Sequence, residues 1–278
     1  MGGKSPRLRA AASAIGFVAL ASAGSAWAAN APGPGLRDLC PDRPTKGTGA
    51  CTVDRGRWQV EADLFNTTLQ RESGVAVRTT LLANPTLKFG LTDVSDIEVA
   101  IAADEIVRTV DTVSGAHRSL AGPGDLFLKY KHMLTAQGGA FQAVLLPWIK
   151  APTARRGIGN GAWEAGVVTP LQWTLPGGWQ LGASPEVDAI RNGDRRGYHA
   201  AASIPVSLTH TIVPGLSASV ELWAAEDFDP GGDSRQSSFD LALAQLVGHD
   251  IQLDAGINVG LNRATARSQS YVGVTRRF

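Results

Sequence analysis

From Arg57 to the last residue, Phe278, apolar and polar side chains alternate with a period of two. The clearest stretch runs from Ile251 to Asn262. Ile251, Leu253, Ala255, Ile257, Val259 and Leu261 take one set of positions, and Gln252, Asp254, Gly256, Asn258, Gly260 and Asn262 take the other. A helix turns about 100° per residue and cannot separate those sets. A strand separates them automatically. The same alternation recurs in about twelve segments: 57–70, 75–89, 95–109, 124–134, 140–151, 163–175, 178–190, 197–211, 215–227, 237–247, 250–262 and 269–278. Each is long enough to cross a bilayer as a tilted strand of about 9–11 residues.

The links between segments also alternate. Short links fall at Gly90–Val94, Thr135–Gly139, Pro176–Gly177, Val213–Pro214 and Gly248–His249. Between them lie Arg71–Gly74 and the longer Val110–Pro123, Pro152–Ala162, Arg191–Arg196, Phe228–Gln236 and Arg263–Ser268. In an antiparallel meander, odd and even links lie at opposite ends. Short turns at one end and longer loops at the other describe an outer-membrane barrel, with both termini at the periplasmic end when the strand number is even. The expected fold is therefore all-β: an antiparallel up-and-down transmembrane β-barrel of about twelve strands. A soluble β-sandwich also alternates apolar and polar residues, but its strands are shorter and its loops need not sort by side.

Composition fits two interleaved faces. The 278 residues are 44% apolar, yet mean hydropathy is near zero, and 26 Lys+Arg balance 25 Asp+Glu. That balance excludes a nucleic-acid partner held by a basic field. After Leu20 there is no apolar run long enough for a helical span.

The N-terminus predicts export. Lys4, Arg7 and Arg9 precede an apolar stretch from Ala10 to Leu20, and Ala26-Trp27-Ala28 forms a small-residue cleavage site. Residues 1–29 are the expected signal peptide. Residues 30–56 are a Pro/Gly-rich segment that either hangs in the periplasm or plugs the barrel, and 57–278 form the barrel. In an oxidising compartment Cys40 and Cys51 predict a local disulfide. Two thiols with no nearby His or acidic cluster fall short of the four ligands of a metal site, and no cofactor is expected.

Several segments together resemble a family. They are Gly56-Arg57-Trp58-Gln59-Val60-Glu61, Pro85 to Asp93, Gly124 to Lys131, Leu146 to Thr153, Gln252 to Asn258 and Tyr271 to Phe278. The chain resembles the bacterial outer-membrane transporters of the phenol-degradation meta-pathway family. The resemblance implies a barrel with a transport role and supplies no catalytic residue.

In a barrel the polar set points into the lumen. The lumen-lining candidates are Glu61, Asp63, Arg78, Lys88, Glu98, Asp125, Lys129, Lys131, Lys150, Glu186, Asp188, Glu221, Asp240 and Asp254, with Trp148 and Trp223 on the same face. Two interiors are compatible with them: a narrow polar pore for a small solute, aromatic or apolar, or a charge network that packs the barrel shut. Phe278 ends the last strand as an interfacial aromatic and is the candidate signal for the barrel-insertion machinery. Arginines cluster at the long-loop end: Arg118, Arg155, Arg156, Arg191, Arg195, Arg196, Arg263 and Arg267. They suit outer-membrane lipid and lipopolysaccharide phosphates, or loop acids. An enzyme is not expected. An outer-membrane lipid hydrolase would need a supported His–Ser pair, and His117-Arg118-Ser119 falls in a predicted loop. The alternative without transport is a plugged structural or surface-interaction barrel.

Overall fold

The computed structural model describes residues 35–72 and 74–278. The predicted signal peptide lies outside them. Seventeen strand segments join into one sheet that makes a closed barrel of twelve antiparallel strands. They are β1 (Trp58–Glu72), β2 (Val75–Leu82 with Asn84–Thr92), β3 (Ser95–Ile101 with Asp104–Asp111) and β4 (His117–Gly122 with Leu126–Met133). Then come β5 (Phe141–Ala151), β6 (Glu164–Val168 with Leu171–Thr174), β7 (Trp179–Ala183 with Glu186–Arg191) and β8 (Tyr198–Val213). The circuit ends with β9 (Leu216–Asp227), β10 (Ser234–Val247), β11 (Ile251–Gly260) and β12 (Ser268–Arg277). β12 pairs back onto β1 from Gln59↔Arg277 to Leu69↔Ser268, so no edge is left open.

The burial pattern is inverted relative to a soluble protein. Lys88, Lys131, Glu98 and Glu221 are among the most buried side chains, while Leu128, Ile149, Val187, Leu222 and Leu253 are exposed. An apolar exterior of this extent is stable only against lipid. Aromatic pairs ring the short-turn end: Trp58 with Phe89, Phe141 with Trp173, and Trp179 with His210, at centroid separations of 4.5, 5.1 and 4.4 Å. They form an interfacial girdle, and Phe278 closes β12 beside it under the Arg276 guanidinium.

Two interruptions shape the wall. On one side, β1 to β4 share a line of irregularities. Leu64 is extra in β1, Ala83 adopts a positive φ of 50° in β2, and β3 and β4 break at 102–103 and 123–125. The register between these strands is the same above and below the line, so all of them reverse which residues face inward there. On the other side, Pro147, Pro170, Pro185 and Pro205 fall on four adjacent strands, β5 to β8. β6 and β7 break at Pro170 and Pro185, whereas Pro147 and Pro205 lie inside continuous strands. Each proline removes a ladder donor.

The reversal corrects two expectations. Arg78 does not line the lumen. Thr79 and Leu81 face the interior instead, and Arg78 points outward because the Ala83 bulge shifts the alternation by one. Val110–Pro123 is not a long loop. Gly115, Gly122 and Pro123 punctuate the sequence like a loop, but β3 and β4 continue to Asp111 and from His117. His117 and Ser119 therefore sit on a strand. They lie opposite Val110 and Arg108, on the outward face.

Candidate functional site

The wall positions nine of the candidate side chains around one object, the segment from Leu36 to Asp54. It rises from the short-turn end, turns near Thr45–Gly47, and returns to enter β1. Cys40 and Cys51 join its two limbs, with a Cα–Cα distance of 6.0 Å. Ala50 packs with Met133 of β4 and Val144 of β5 in a small buried apolar cluster.

Charge fixes the rest. The Arg43 guanidinium bridges Asp63 at 2.6 Å and Asp254 at 2.8 Å. Lys46 pairs with Asp240, its ammonium lies 5.2 Å from the Trp223 ring centroid, and the Lys46 and Gly47 amides donate to Glu221 at 2.9 and 3.1 Å. Asp42 accepts from Lys88 and from Lys131, the latter at 2.5 Å. Lys88 also meets Glu61 at 2.5 Å and Glu98 at 3.6 Å. Burial would raise the pKa of Asp42, but the Lys131 and Lys88 ammonium groups outweigh it and hold the carboxyl well below the usual range. At the short-turn end Arg277 joins Asp54 at 2.8 Å, and Arg37 joins the same carboxylate at 2.7 Å.

Two glycines make room for this docking. A Cβ on Gly273 would lie 2.1 Å from the Arg43 guanidinium, and one on Gly90 would lie 2.0 Å from the Asp54 carbonyl oxygen. Both are strand positions where a side chain would push the segment off the wall.

Space remains on either side of the hairpin. A cavity of about 900 Å³ opens toward the short-turn end, lined by uncharged polar groups such as Gln142, Gln172, Gln180, Ser207 and Ser219. A second, of about 750 Å³, opens toward the long loops. Leu81, Ile101, Phe127, Leu146 and Trp148 supply its apolar wall, with the Phe127 and Trp148 rings 5.7 Å apart. Asp125, Lys129, Lys150 and Glu186 supply polar groups. Trp148 Nε1 donates to Glu186 at 2.9 Å, and Asp188 lies beside Trp148 over Gly166. Lys150 is a hub: it contacts Asp125 at 3.0 Å, Glu164 at 2.7 Å and Asn160 at 2.9 Å, which folds the Pro152–Ala162 loop over the cavity. Thr48 lines both cavities, and its amide donates to Ser184 Oγ at 3.0 Å. The hairpin tip thus stands between them.

The candidates therefore fall into three groups. Glu61, Asp63, Lys88, Glu98, Lys131, Glu221, Trp223, Asp240 and Asp254 surround the hairpin. Asp125, Lys129, Trp148, Lys150, Glu186 and Asp188 surround the long-loop cavity. Arg78 belongs to neither. Sequence reasoning missed Asp42, Arg43 and Lys46, although a signal existed: the first group holds six acids against two lysines, so it requires a cationic complement.

The disulfide limits how far the hairpin can open. Closing a loop of this size stabilises its ordered form by about 2–3 kcal/mol. Cys51→Ser, or reductant on the periplasmic side, is expected to add open-state noise to single-channel recordings while leaving the barrel folded. Identical traces before and after reduction would remove the disulfide from hairpin docking.

A closed β-barrel with an apolar belt, an aromatic girdle and a charged interior defines a bacterial outer-membrane protein. The chain belongs to the family described as "Putative MetA-pathway of phenol degradation", which it matches over residues 41–278. Among solved structures it is similar to an outer membrane channel from Pseudomonas putida F1. Identity is 13%, coverage is 88% of this chain and 99% of that chain, and the TM-score is 0.66. The translocator domain of the autotransporter NalP from Neisseria meningitidis is 12% identical, with 80% and 88% covered and a TM-score of 0.51. These likenesses concern the fold. A search of curated proteins finds no match.

Proposed function

We propose that the barrel passes a small solute with an aromatic or apolar body across the outer membrane by diffusion, and that the 36–54 hairpin constricts the path. The observation that carries this is the long-loop cavity. Its Phe127, Trp148, Leu81, Leu146 and Ile101 wall has no purpose in a simple water-filled pore, yet about 750 Å³ suits a one-ring or two-ring solute. Glu186, held by the Trp148 indole, and Lys129 orient a polar substituent. The likeness to a Pseudomonas putida outer membrane channel supports the barrel as a scaffold for passage, and the family's link to phenol degradation makes phenolic compounds the first to try.

Liposome swelling over a panel of aromatic acids, phenols, sugars and amino acids tests the proposal. Aromatic solutes are expected to enter faster than sugars of equal mass. Trp148→Ala is expected to slow aromatic entry by about tenfold, since one stacked aromatic contact contributes about 0.5–1.5 kcal/mol beyond its buried area. Equal rates for all solutes, or no effect at Trp148, would sink it.

The second proposal is a plugged barrel with a structural or surface role. The many ion pairs that hold the hairpin favour it. No conductance and no solute flux in planar bilayers, for the wild type and for hairpin variants alike, would decide for it. A lipid hydrolase has His117 and Ser119 as its sole sequence basis. Loss of esterase activity on Ser119→Ala is the result that would be required. Phe278 keeps its proposed role as the insertion signal: Phe278→Ala is expected to lower the amount of barrel in outer-membrane fractions.

A further inference from the structure

Outside the lumen, the upper part of β1 to β3 carries a basic patch that the channel does not use. Arg71 lies opposite Ala76, and Leu69 lies opposite Arg78, on the β1–β2 ladder. Arg78 lies directly opposite Arg108 on the β2–β3 ladder. Directly opposed side chains point to the same face with Cβ atoms about 4.5–5.5 Å apart, and diagonal neighbours lie about 7–8 Å apart. Because Thr79 and Leu81 face the interior, Arg78 faces out, and the pairings carry Arg71 and Arg108 with it. All three are exposed. Among the described residues none of them has an ion pair. The outward acid on this face is Asp104, four positions from Arg108 and opposite Leu82.

Like charges directly opposed on a ladder destabilise it. Three arginines without an acid between them invite an anion. Their height says which one. Arg78 stands eleven positions above Phe89 of the aromatic girdle. At about 3.3 Å per residue and a tilt of about 40°, that is about 28 Å, just past an apolar band about 25 Å tall. Below the arginines the same face offers Leu82, Leu87, Ile106 and Leu128, which suit acyl chains.

We propose that Arg71, Arg78 and Arg108 bind the phosphorylated sugar headgroup of an outer-leaflet lipid A molecule, with its acyl chains on the apolar wall beneath. Paired guanidiniums clamp one phosphate bidentately from both sides. The site is independent of the solute path, so its failure leaves the channel reading untouched.

The test uses the full-length barrel, refolded in detergent without lipopolysaccharide, and native mass spectrometry. The probes are bis-phosphorylated lipid A, its dephosphorylated form and inorganic phosphate. Lipid A is expected to bind at least about tenfold more tightly than its dephosphorylated form, and R71Q/R78Q/R108Q is expected to lose about that factor. A heat-modifiable gel shift confirms that the variant is folded, and Arg108→Gln alone, with a smaller loss, serves if it is not. Arg235→Gln removes an exposed charge at the long-loop end that is already paired with Glu226, and is expected to bind normally. Equal binding by wild type and the triple variant, equal loss in Arg235→Gln, or displacement of lipid A by inorganic phosphate would each overturn the assignment.

Discussion

Arg43→Gln is expected to release the hairpin and open the barrel. The guanidinium stands between two carboxylates that are almost wholly buried, Asp63 and Asp254. Glutamine leaves both anions without a cation. Breaking a buried ion pair by removing one partner costs about 3–5 kcal/mol, which is a factor of about 10² to several 10³ in the ratio of docked to undocked hairpin. The strand ladders are untouched, so the cost falls on docking rather than on the barrel. Single-channel conductance in planar bilayers is expected to rise several-fold, with faster aromatic uptake in liposomes. The triple variant R43Q/D63N/D254N removes the charges together and is expected to return most of the way to the closed state, because groups that hydrogen-bond without charge carry a smaller desolvation cost. Unchanged conductance in Arg43→Gln would mean that the hairpin is not the constriction.

The barrel was legible in the sequence because alternation is a local property. Ile251 to Asn262 announces one lipid face and one water face with no knowledge of its neighbours, and the sorting of short and longer links supplied the meander. The strand count and the lower inward positions, Glu61, Lys88, Glu98, Lys131 and Asp254 among them, followed from that pattern. What failed was parity over distance. Unbroken alternation through 75–89 puts Arg78 on the same face as Lys88, but the bulge at Ala83 reverses the count, and an alanine does not mark it. Alanine with a positive φ is a tertiary event, imposed by the matching irregularities in β1, β3 and β4.

The hairpin contacts were illegible for a different reason. Arg43 and Asp254 are 211 residues apart, and nothing local joins them. Complementarity was the accessible clue, together with Gly273, the single glycine in a strand that has no proline, asparagine or aspartate. A glycine inside a central strand asks what else needs its space, and here the occupant is the Arg43 side chain.

Lys88→Met is expected to have the larger effect on the barrel itself, and Asp42→Asn on the hairpin alone. Lys88 is 1% exposed and touches Glu61, Glu98 and Asp42, two on the wall and one on the hairpin. Without it the wall keeps two buried carboxylates at one level, a loss of about 3–5 kcal/mol that should appear as a lower urea midpoint in detergent. Lys131→Met should cost less, because its contact with Glu98 is already long at 3.9 Å. Asp42→Asn leaves the Lys88–Glu61 pair in place, so the urea midpoint should hardly move while conductance rises. The pH dependence follows from the sign of the Asp42 shift. Its carboxyl is held below the ordinary value, so its contribution to docking is complete above about pH 3.9, the unfolded value, and is lost only as the pH falls further, toward the depressed value of the docked state. Wild-type conductance should therefore stay flat from about pH 8 to pH 5, while Asp42→Asn is raised throughout. A wild-type barrel that opens by pH 5 would show that a hairpin contact other than Asp42 is lost first, and conductance in Asp42→Asn equal to that of the wild type would remove Asp42 from the role.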